Sequence, residues 1–477
     1  MTTSRPAPAA DRELRSLDDL IAVLAAPERP RDEWRIGAES EKFGVHEATG
    51  APLQYEGEFG VLRIFEWLME RQGWAPVSES PGGPVIALSK GGANITLEPG
   101  AQFELSGAPL RTVHEVVGEH GRHLQEIGAI AREMGVAWLM TGFHPLARQE
   151  QLPWVPKQRY SIMREYLPQQ GDGALDMMRR TATVQGNFDW SSEADGMAKL
   201  RLALKISPLL HAWFANAPFR EGAPSGWVSL RGDVWLRMDP RRSGLVARVL
   251  DNPSPSYVDY VEWALDAGMF LIKRGDQILH NTGQPFRDFL EHGFEGQRAT
   301  VADWKLHLNT LFPEARLKGT LEVRSADCLP PDLAGSLLAL WTGVLYDAQA
   351  LERAAALTET WTARELEAAR GELVRRGLEA QLCGRSGWEW AEQLVEIAAE
   401  GLERRGQLDP QGRSEAVLLA PARALLSERR CPAERSLARF EALCPTAPRS
   451  TDSDAVGPAS TMTTERAIIE STRLSAQ

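Results

Sequence analysis

Residues 181–190 read Thr-Ala-Thr-Val-Gln-Gly-Asn-Phe-Asp-Trp. In an extended strand, side chains two apart point to the same face. Thr183, Gln185, Asn187 and Asp189 then share one side, and Val184, Phe188 and Trp190 share the other. Four more stretches have the same parity. In 35–43, Glu39 and Glu41 point together; in 94–98, Ile95 and Leu97 oppose Asn94, Thr96 and Glu98. In 228–235, Ser229, Arg231 and Asp233 align; in 321–324, Glu322 and Arg324 oppose Leu321 and Val323. Antiparallel sheets commonly wet one face. A solvated face usually mixes in lysine, however, and lysine is nearly absent from these five stretches. Five strands carrying Glu, Gln, Asn, Asp and Arg on one side read as the floor of a site for hard cations and anions.

Around these strands the expected class is α+β, because they are joined by unequal, helix-containing connections rather than by regular βαβ units. Leu110, Val113, Val117, Leu124, Ile127, Ala131 and Met134 recur at helical spacing, which predicts a long amphipathic helix. Residues 193–216 predict another, broken or kinked near Pro208. Thr362-Ala-Arg-Glu365 reads as a capping box opening a helix. The expected organisation is a disordered N-terminal tail over 1–12, a catalytic core over 13–329, a helical region over 330–445 packed on that core, and a second disordered tail over 446–477. Within that last tail, Arg-Ala-Ile-Ile-Glu-Ser-Thr-Arg-Leu (466–474) suits a short docking helix.

The chain has 477 residues, 43% hydrophobic and 25% charged, with a formal net charge of −12. This suits a soluble globular protein and disfavours nucleic acid as the main partner, which wants a basic surface. Four cysteines, Cys328, Cys383, Cys431 and Cys444, show no CxxC spacing, so free thiols are expected rather than a disulfide framework or a zinc site. No run of 18 apolar residues predicts a membrane span, and residues 1–16 lack a secretory apolar stretch, so the expected setting is the cytoplasm.

The polar face suggests a chemistry. Glu39, Glu41, Glu98, Glu104 and Glu322 offer carboxylate oxygens and Gln185 a neutral one. Mg²⁺ prefers oxygen ligands and bridges carboxylates to phosphates. Converging carboxylates repel one another unless cations lie between them, so more than one ion is expected. Arg231 and Arg324 are suited to grip carboxylate or phosphate with paired hydrogen bonds. The sequence has no GxxxxGK[ST] phosphate loop, no kinase motif set, no GxSxG and no HExxH. From the residues alone the reading is a metal-dependent nucleotide enzyme.

The blocks IGAESEKFG, ITLEPGAQFELSGAPL, RYSIMREYLP, LDMMRRTATVQGNFDWSSEAD, FANAPF, PFRDFL and LFPEARLKGTLEVRSAD resemble the plant and proteobacterial type of glutamate–cysteine ligase, from about Arg35 to Leu443. The resemblance implies a glutamine synthetase-like fold, in which a curved, mainly antiparallel sheet forms a funnel with metals on its polar face. It implies ATP-dependent joining of the γ-carboxyl of L-glutamate to L-cysteine through a γ-glutamyl phosphate, the first step of glutathione synthesis, with two or three Mg²⁺ ions. Carried over residue by residue, Glu39, Glu41, Glu98, Glu104, Gln185 and Glu322 are metal ligands, and Arg324 stabilises the transferring phosphoryl group. Arg231 takes the α-carboxylate of glutamate, with Arg164 as second candidate, and Tyr160, Met178 and Trp263 shape the substrate pockets. A monomer or homodimer is implied. The plant enzymes carry regulatory cysteines where this chain has Asn281, Ser336 and none in 111–125, so no such redox switch is expected. Two other readings stay open: a sister ligase with a different amine acceptor, and a non-catalytic regulatory paralogue.

Several polar residues carry a plainer expectation. His144 and His211 read as structural, Lys90 as a turn lysine, and Asn187 and Asp189 as braces for Gln185.

Overall fold

The computed structural model describes residues 11–275, 277–444 and 462–474. Of the expected tails, residues 1–10, 446–461 and 475–477 lie outside the described residues.

Nine strands form one sheet: β1 (Ile36–His46), β2 (Ala75–Val77), β3 (Ala87–Lys90), β4 (Ala93–Leu97), β5 (Phe103–Ser106), β6 (Val136–Leu139), β7 (Val184–Phe188), β8 (Ala315–Leu317) and β9 (Leu321–Val323). Their order is β8-β9-β7-β1-β5-β4-β3-β2, and every pairing is antiparallel. The eleven-residue β1 changes partners along its length: residues 36–40 pair with β7, residues 39–42 with β5, and residues 43–46 with β6. The expected α+β class with a mainly antiparallel sheet is what the chain adopts.

The sheet's second face is largely apolar, with Ser40 and the buried Lys42 as exceptions on β1, and is covered by helices. Those used below are α1 (Val113–Met134), α2 (Gln158–Tyr166), α3 (Ala174–Arg180), α4 (Glu193–Trp213), α5 (Leu230–Leu236), α6 (Val301–Leu308), α7 (Pro331–Leu345) and α8 (Gly387–Arg405). Helix α1 starts later than the apolar spacing suggested. Thr112 caps it, accepting from the Glu115 N–H, and Leu110 lies outside, its carbonyl accepting from the Ile36 N–H at 2.7 Å. Helix α4 is nearly all buried and runs through Pro208. The capping box at Thr362 and Glu365 is present. From Pro331 to Leu443 the chain is mostly helical, and α7 lies against β7. Gly186 makes that approach possible: a Cβ there would sit 3.1 Å from Leu338 and 2.8 Å from the Phe188 ring. One hydrophobic cluster runs from Leu14 to Leu426, so the helical region shares its core with the sheet.

Two expectations are corrected. Residues 228–235 are not a strand. Ser229 is an N-cap whose hydroxyl accepts from the Gly232 N–H at 3.0 Å, and Leu230 and Val234, one helical turn apart, are buried along α5. Local capping outcompetes the alternation because Ser favours helix starts. The tail expected over 446–477 is not disordered throughout: the stretch suited to a docking helix forms one, α9 (Thr464–Thr472). Ile468 and Ile469 are buried, and backbone hydrogen bonds join Met140 to Thr472 and Leu474 to Trp138, each at 2.8 Å.

That docking should matter for stability. Ile468→Ala is expected to cost about 2–5 kcal/mol, the usual range for emptying a buried Ile site. A urea titration reads it as a lower midpoint; an unchanged midpoint would mean that α9 adds nothing to the folded state.

Candidate active site

Cross-strand partners in an antiparallel sheet point to one side, so the register decides which side chains meet. Glu39 lies opposite Gln185 on β7 and Ser106 on β5. Glu41 lies opposite Glu104, which lies opposite Thr96 on β4. Glu322 lies opposite Asn187 on one side and Arg316 on the other. Residues from six strands therefore share one polar face, with Glu98 just beyond the end of β4. Of the metal ligands expected, Glu39, Glu41, Glu104, Gln185 and Glu322 lie on this face together.

The two ends of the face differ in charge balance. At the β8–β9 end, Glu322 is fully buried and holds three cations. Its Oε2 accepts from Arg316 Nε at 2.7 Å and Arg324 Nη1 at 2.8 Å, and its Oε1 accepts from Lys318 Nζ at 2.6 Å. Burial pushes this carboxyl up, but Arg316, Lys318 and Arg324 prevail and hold it well below the usual range. Arg324 also donates to Gln185 Oε1 at 2.6 Å. At the β4–β5 end the donors are neutral. Glu104 accepts from the hydroxyls of Thr96 and of Ser106, the latter at 3.1 Å; Glu41 accepts from the Thr183 N–H at 3.1 Å. Burial, then repulsion from Glu98 and Glu104, drives Glu41 well above its ordinary value. Burial and Glu98 raise Glu104. Glu39 accepts from Asn187 Nδ2 at 2.9 Å, and burial, Glu322 and Glu104 push it up to about 7.

These oxygens fit hard divalent cations. The buried carboxyls at the β4–β5 end have only neutral hydrogen-bond donors and resist ionisation, so an added cation would stabilise their charged forms, and their donor set is all oxygen. Among the described residues no three acidic, histidine or cysteine side chains converge tightly enough to enclose an ion alone. Each ion would then share its shell with Gln185, phosphate oxygens and water, which is common for Mg²⁺.

A cavity opens beside this face, lined among others by Glu41, Glu98, Tyr160, Met178, Arg231 and Arg324. Arg231 reaches it from the first turn of α5, not from a strand; its Nη1 and Nη2 donate to the carbonyls of Ser325 at 3.0 Å and Arg324 at 2.9 Å. Tyr160 donates to the Leu97 carbonyl at 3.0 Å. Arg164 and Trp263 are not in the cavity wall. Arg164 is exposed and stacks 4.9 Å over Trp154; Trp263 packs on Tyr260 at 5.3 Å. Arg159, on the other side of α2, lines the cavity instead. Five residues of helix turn the side chain by about 140°, so Arg159 and Arg164 cannot share a face.

Arg159, Arg316 and Lys318 are the residues sequence reasoning missed. Ala315-Arg-Leu-Lys318 alternates apolar and polar just as 321–324 does, which was the available signal. Asn187 braces Glu39, not Gln185, and Asp189 lies off the face, accepting from the Arg35 N–H at 2.6 Å. His144 Nδ1 accepts from the Ala147 N–H at 3.0 Å, His211 meets the Ser229 hydroxyl at 2.9 Å, and Lys90 pairs with Glu126 at 3.1 Å. All four cysteines are free.

The raised carboxyl of Glu39 fixes a sign. A group protonated more readily when folded contributes stability at low pH and loses it as pH rises through its folded value. Metal-free protein should therefore lose stability between pH 4.5 and about 7, by at most about 1.4 kcal/mol per pH unit from this group. Glu39→Gln should be flatter over the same interval. Unfolding midpoints in chelator provide the check, and parallel slopes for the two proteins would refute the assignment.

Comparison with known proteins bears on this geometry. The family model for glutamate-cysteine ligase family 2 matches residues 35–466. The chain is 42% identical to the chloroplastic glutamate–cysteine ligase of Nicotiana tabacum over 82% of its own length and 74% of that protein. It is 40% identical to glutamate–cysteine ligase B, chloroplastic, of Oryza sativa subsp. japonica over 89% of its length and 84% of that protein. A crystal structure of glutamate–cysteine ligase from Francisella tularensis in complex with AMP has a TM-score of 0.54 at 13% identity, covering 92% of this chain and 87% of that one; this likeness shows the fold. With sequence identity at this level across most of its length, the chain belongs to glutamate-cysteine ligase family 2.

Proposed function

We propose that the protein joins the γ-carboxyl of L-glutamate to the amine of L-cysteine at the expense of ATP, the first step of glutathione synthesis. The observation that carries this reading is the shared sheet face: carboxylates from β1, β5 and β9, with Gln185, lie in register beside a cavity holding Arg231 and Arg324.

In the proposed first step a γ-carboxylate oxygen of glutamate attacks the γ-phosphorus of ATP. The bond to the bridging oxygen breaks and ADP leaves. In the second step the cysteine nitrogen attacks the γ-carbonyl carbon, loses a proton, and inorganic phosphate departs from the tetrahedral intermediate. Both reactants of the first step are anionic, so the site's main task is electrostatic. Two or three Mg²⁺ ions held by Glu39, Glu41, Glu98, Glu104, Gln185 and Glu322 would supply charge compensation to the phosphates. Arg324 is assigned to the transferring phosphoryl group. Its guanidinium is oriented by Glu322 and Gln185, so little reorganisation is needed as charge develops. Arg231 is assigned to the α-carboxylate of glutamate. Two of its donors are spent on backbone carbonyls, which fixes the plane of the others. Tyr160 and Met178 are assigned to the cavity wall, and Arg159 replaces Arg164 as the second arginine for a substrate carboxylate. The cavity also presents Met163, Met177 and Met269; soft, polarisable methionine suits contact with a thiol-bearing side chain. Free cysteines, and an acceptor that must stay reduced, suit a reducing compartment, for which we propose the cytoplasm.

Phosphate release from purified protein with ATP, Mg²⁺, glutamate and a panel of amines tests the reading. Cysteine should be the preferred acceptor, with γ-glutamylcysteine identified by mass. Glu322→Gln should lower kcat by about 100-fold or more, in line with losing a preorganised charge. Arg231→Lys should chiefly raise the KM for glutamate, since an ammonium cannot reproduce the guanidinium fork. A rate with cysteine no better than with other amines, or a Glu322→Gln protein as fast as wild type, would overturn it.

A further inference from the structure

Glu322 is proposed as a ligand, yet its carboxylate is already spoken for. The three cations on it are not equivalent. Arg316 is buried and also donates from Nη1 to the Asn309 and Leu311 carbonyls, each at 2.9 Å. Arg324 is tied to Gln185 as well. Both meet Oε2. Lys318 alone meets Oε1, at 2.6 Å, and has no other side-chain hydrogen bond among the described residues. It is also the most exposed of the three, with 22% of its side chain open, against 8% for Arg316 and 12% for Arg324.

Lys318 starts the three-residue turn between β8 and β9. Its N–H donates to the Thr320 carbonyl at 3.0 Å, and a Cβ on Gly319 would meet nothing within 4 Å, so the turn has open space beside it. The same turn reaches Glu39: the Thr320 hydroxyl donates to Asn187 Oδ1 at 2.7 Å, and Asn187 Nδ2 donates to Glu39 Oε1 at 2.9 Å. The Lys318 ammonium thus stands on the one Glu322 oxygen that neither arginine covers, on a turn linked to the next proposed ligand.

We propose that Lys318 is an exchangeable stand-in cation, seated on Glu322 Oε1 in the nucleotide-free protein and passing to the phosphates when the nucleotide binds. A lysine is a compact charge on a flexible stem, able to trade one anion for another without rearranging a planar fork. The trade leaves Oε1 free when a nucleotide-borne divalent cation arrives, and at no stage is the buried carboxylate left without a partner, which would be costly. The attraction that Lys318 exerts on Glu39 agrees with its position between the two carboxylates. Lys318 is a positioning residue in the free protein and a phosphate contact in the complex.

This inference rests on the proposed reading of Glu322 and the nucleotide. Its mark is a pair of opposite effects from one substitution. Removing the competitor in Lys318→Met should tighten Mn²⁺ binding to the nucleotide-free protein, read by electron paramagnetic resonance, by about tenfold. It should weaken binding of Mg·ADP, read by calorimetry, by about tenfold, as expected for one lost charge-assisted hydrogen bond. Lys318→Arg, which keeps the charge, should leave Mn²⁺ affinity near that of wild type. Unchanged or weaker Mn²⁺ binding in Lys318→Met overturns the exchange, and so does unchanged Mg·ADP binding. Wild-type protein that binds no Mg·ADP would remove the functional reading together with the exchange, whereas a wild type that binds it confines any failure to Lys318.

Discussion

Three strands, β1, β5 and β9, bring like charges onto one partly dehydrated surface, and the rest of the architecture answers to that. A carboxylate on a sheet face cannot move away from its cross-strand neighbour, because the backbone ladder holds both. Glu41 and Glu104 are fixed opposite each other in this way, both buried. Their repulsion and dehydration oppose ionisation. The apolar side of the sheet tolerates this because α1, α4, α7 and α8 join the large hydrophobic cluster behind it. A smaller protein would have little burial to set against such a face.

The charge on the face is graded, and the gradient gives the site a direction. Toward β8 and β9, Arg316, Lys318 and Arg324 outnumber Glu322, an environment suited to anionic phosphates. Toward β4 and β5, hydroxyls and a backbone N–H are the donors, an environment that calls for added cations. The cavity with Arg231 and Tyr160 opens next to Glu41 and Glu98. A triphosphate laid along this gradient would bring its own positive ions toward the uncompensated end. On the proposed reading, this geometry would hold a nucleotide without a glycine-rich phosphate loop.

Where the sequence reading failed, the failures have physical causes. Residues 228–235 alternate as a strand does, yet Ser229 offers a side-chain acceptor to the Gly232 N–H, and that local bond opens α5. Arg231 still reaches the cavity, because the first turn of a helix projects side chains in several directions. Arg159 and Arg164 stand five residues apart on α2, and only the packing of that helix decides that Arg159, not Arg164, lines the cavity. Arg316 and Lys318 alternate with Ala315 and Leu317 just as Glu322 and Arg324 do with Leu321 and Val323, and only the hairpin register brings them onto Glu322.

Side-chain parity in four of the five stretches was a local property and was legible: period-two alternation within a strand follows from backbone geometry alone. So were the α+β class and the capping box at Thr362. The sequence by itself thus determined which residues are polar together on each strand. It could not say which strands lie side by side, in what register, or which cation settles on which carboxylate. Those depend on pairings between residues far apart in the chain, such as Glu39 with Asn187, which are 148 residues apart. Long-range partners are chosen by burial of the whole apolar face at once, so tertiary structure alone decided that Glu39, Gln185 and Glu322 would share a site.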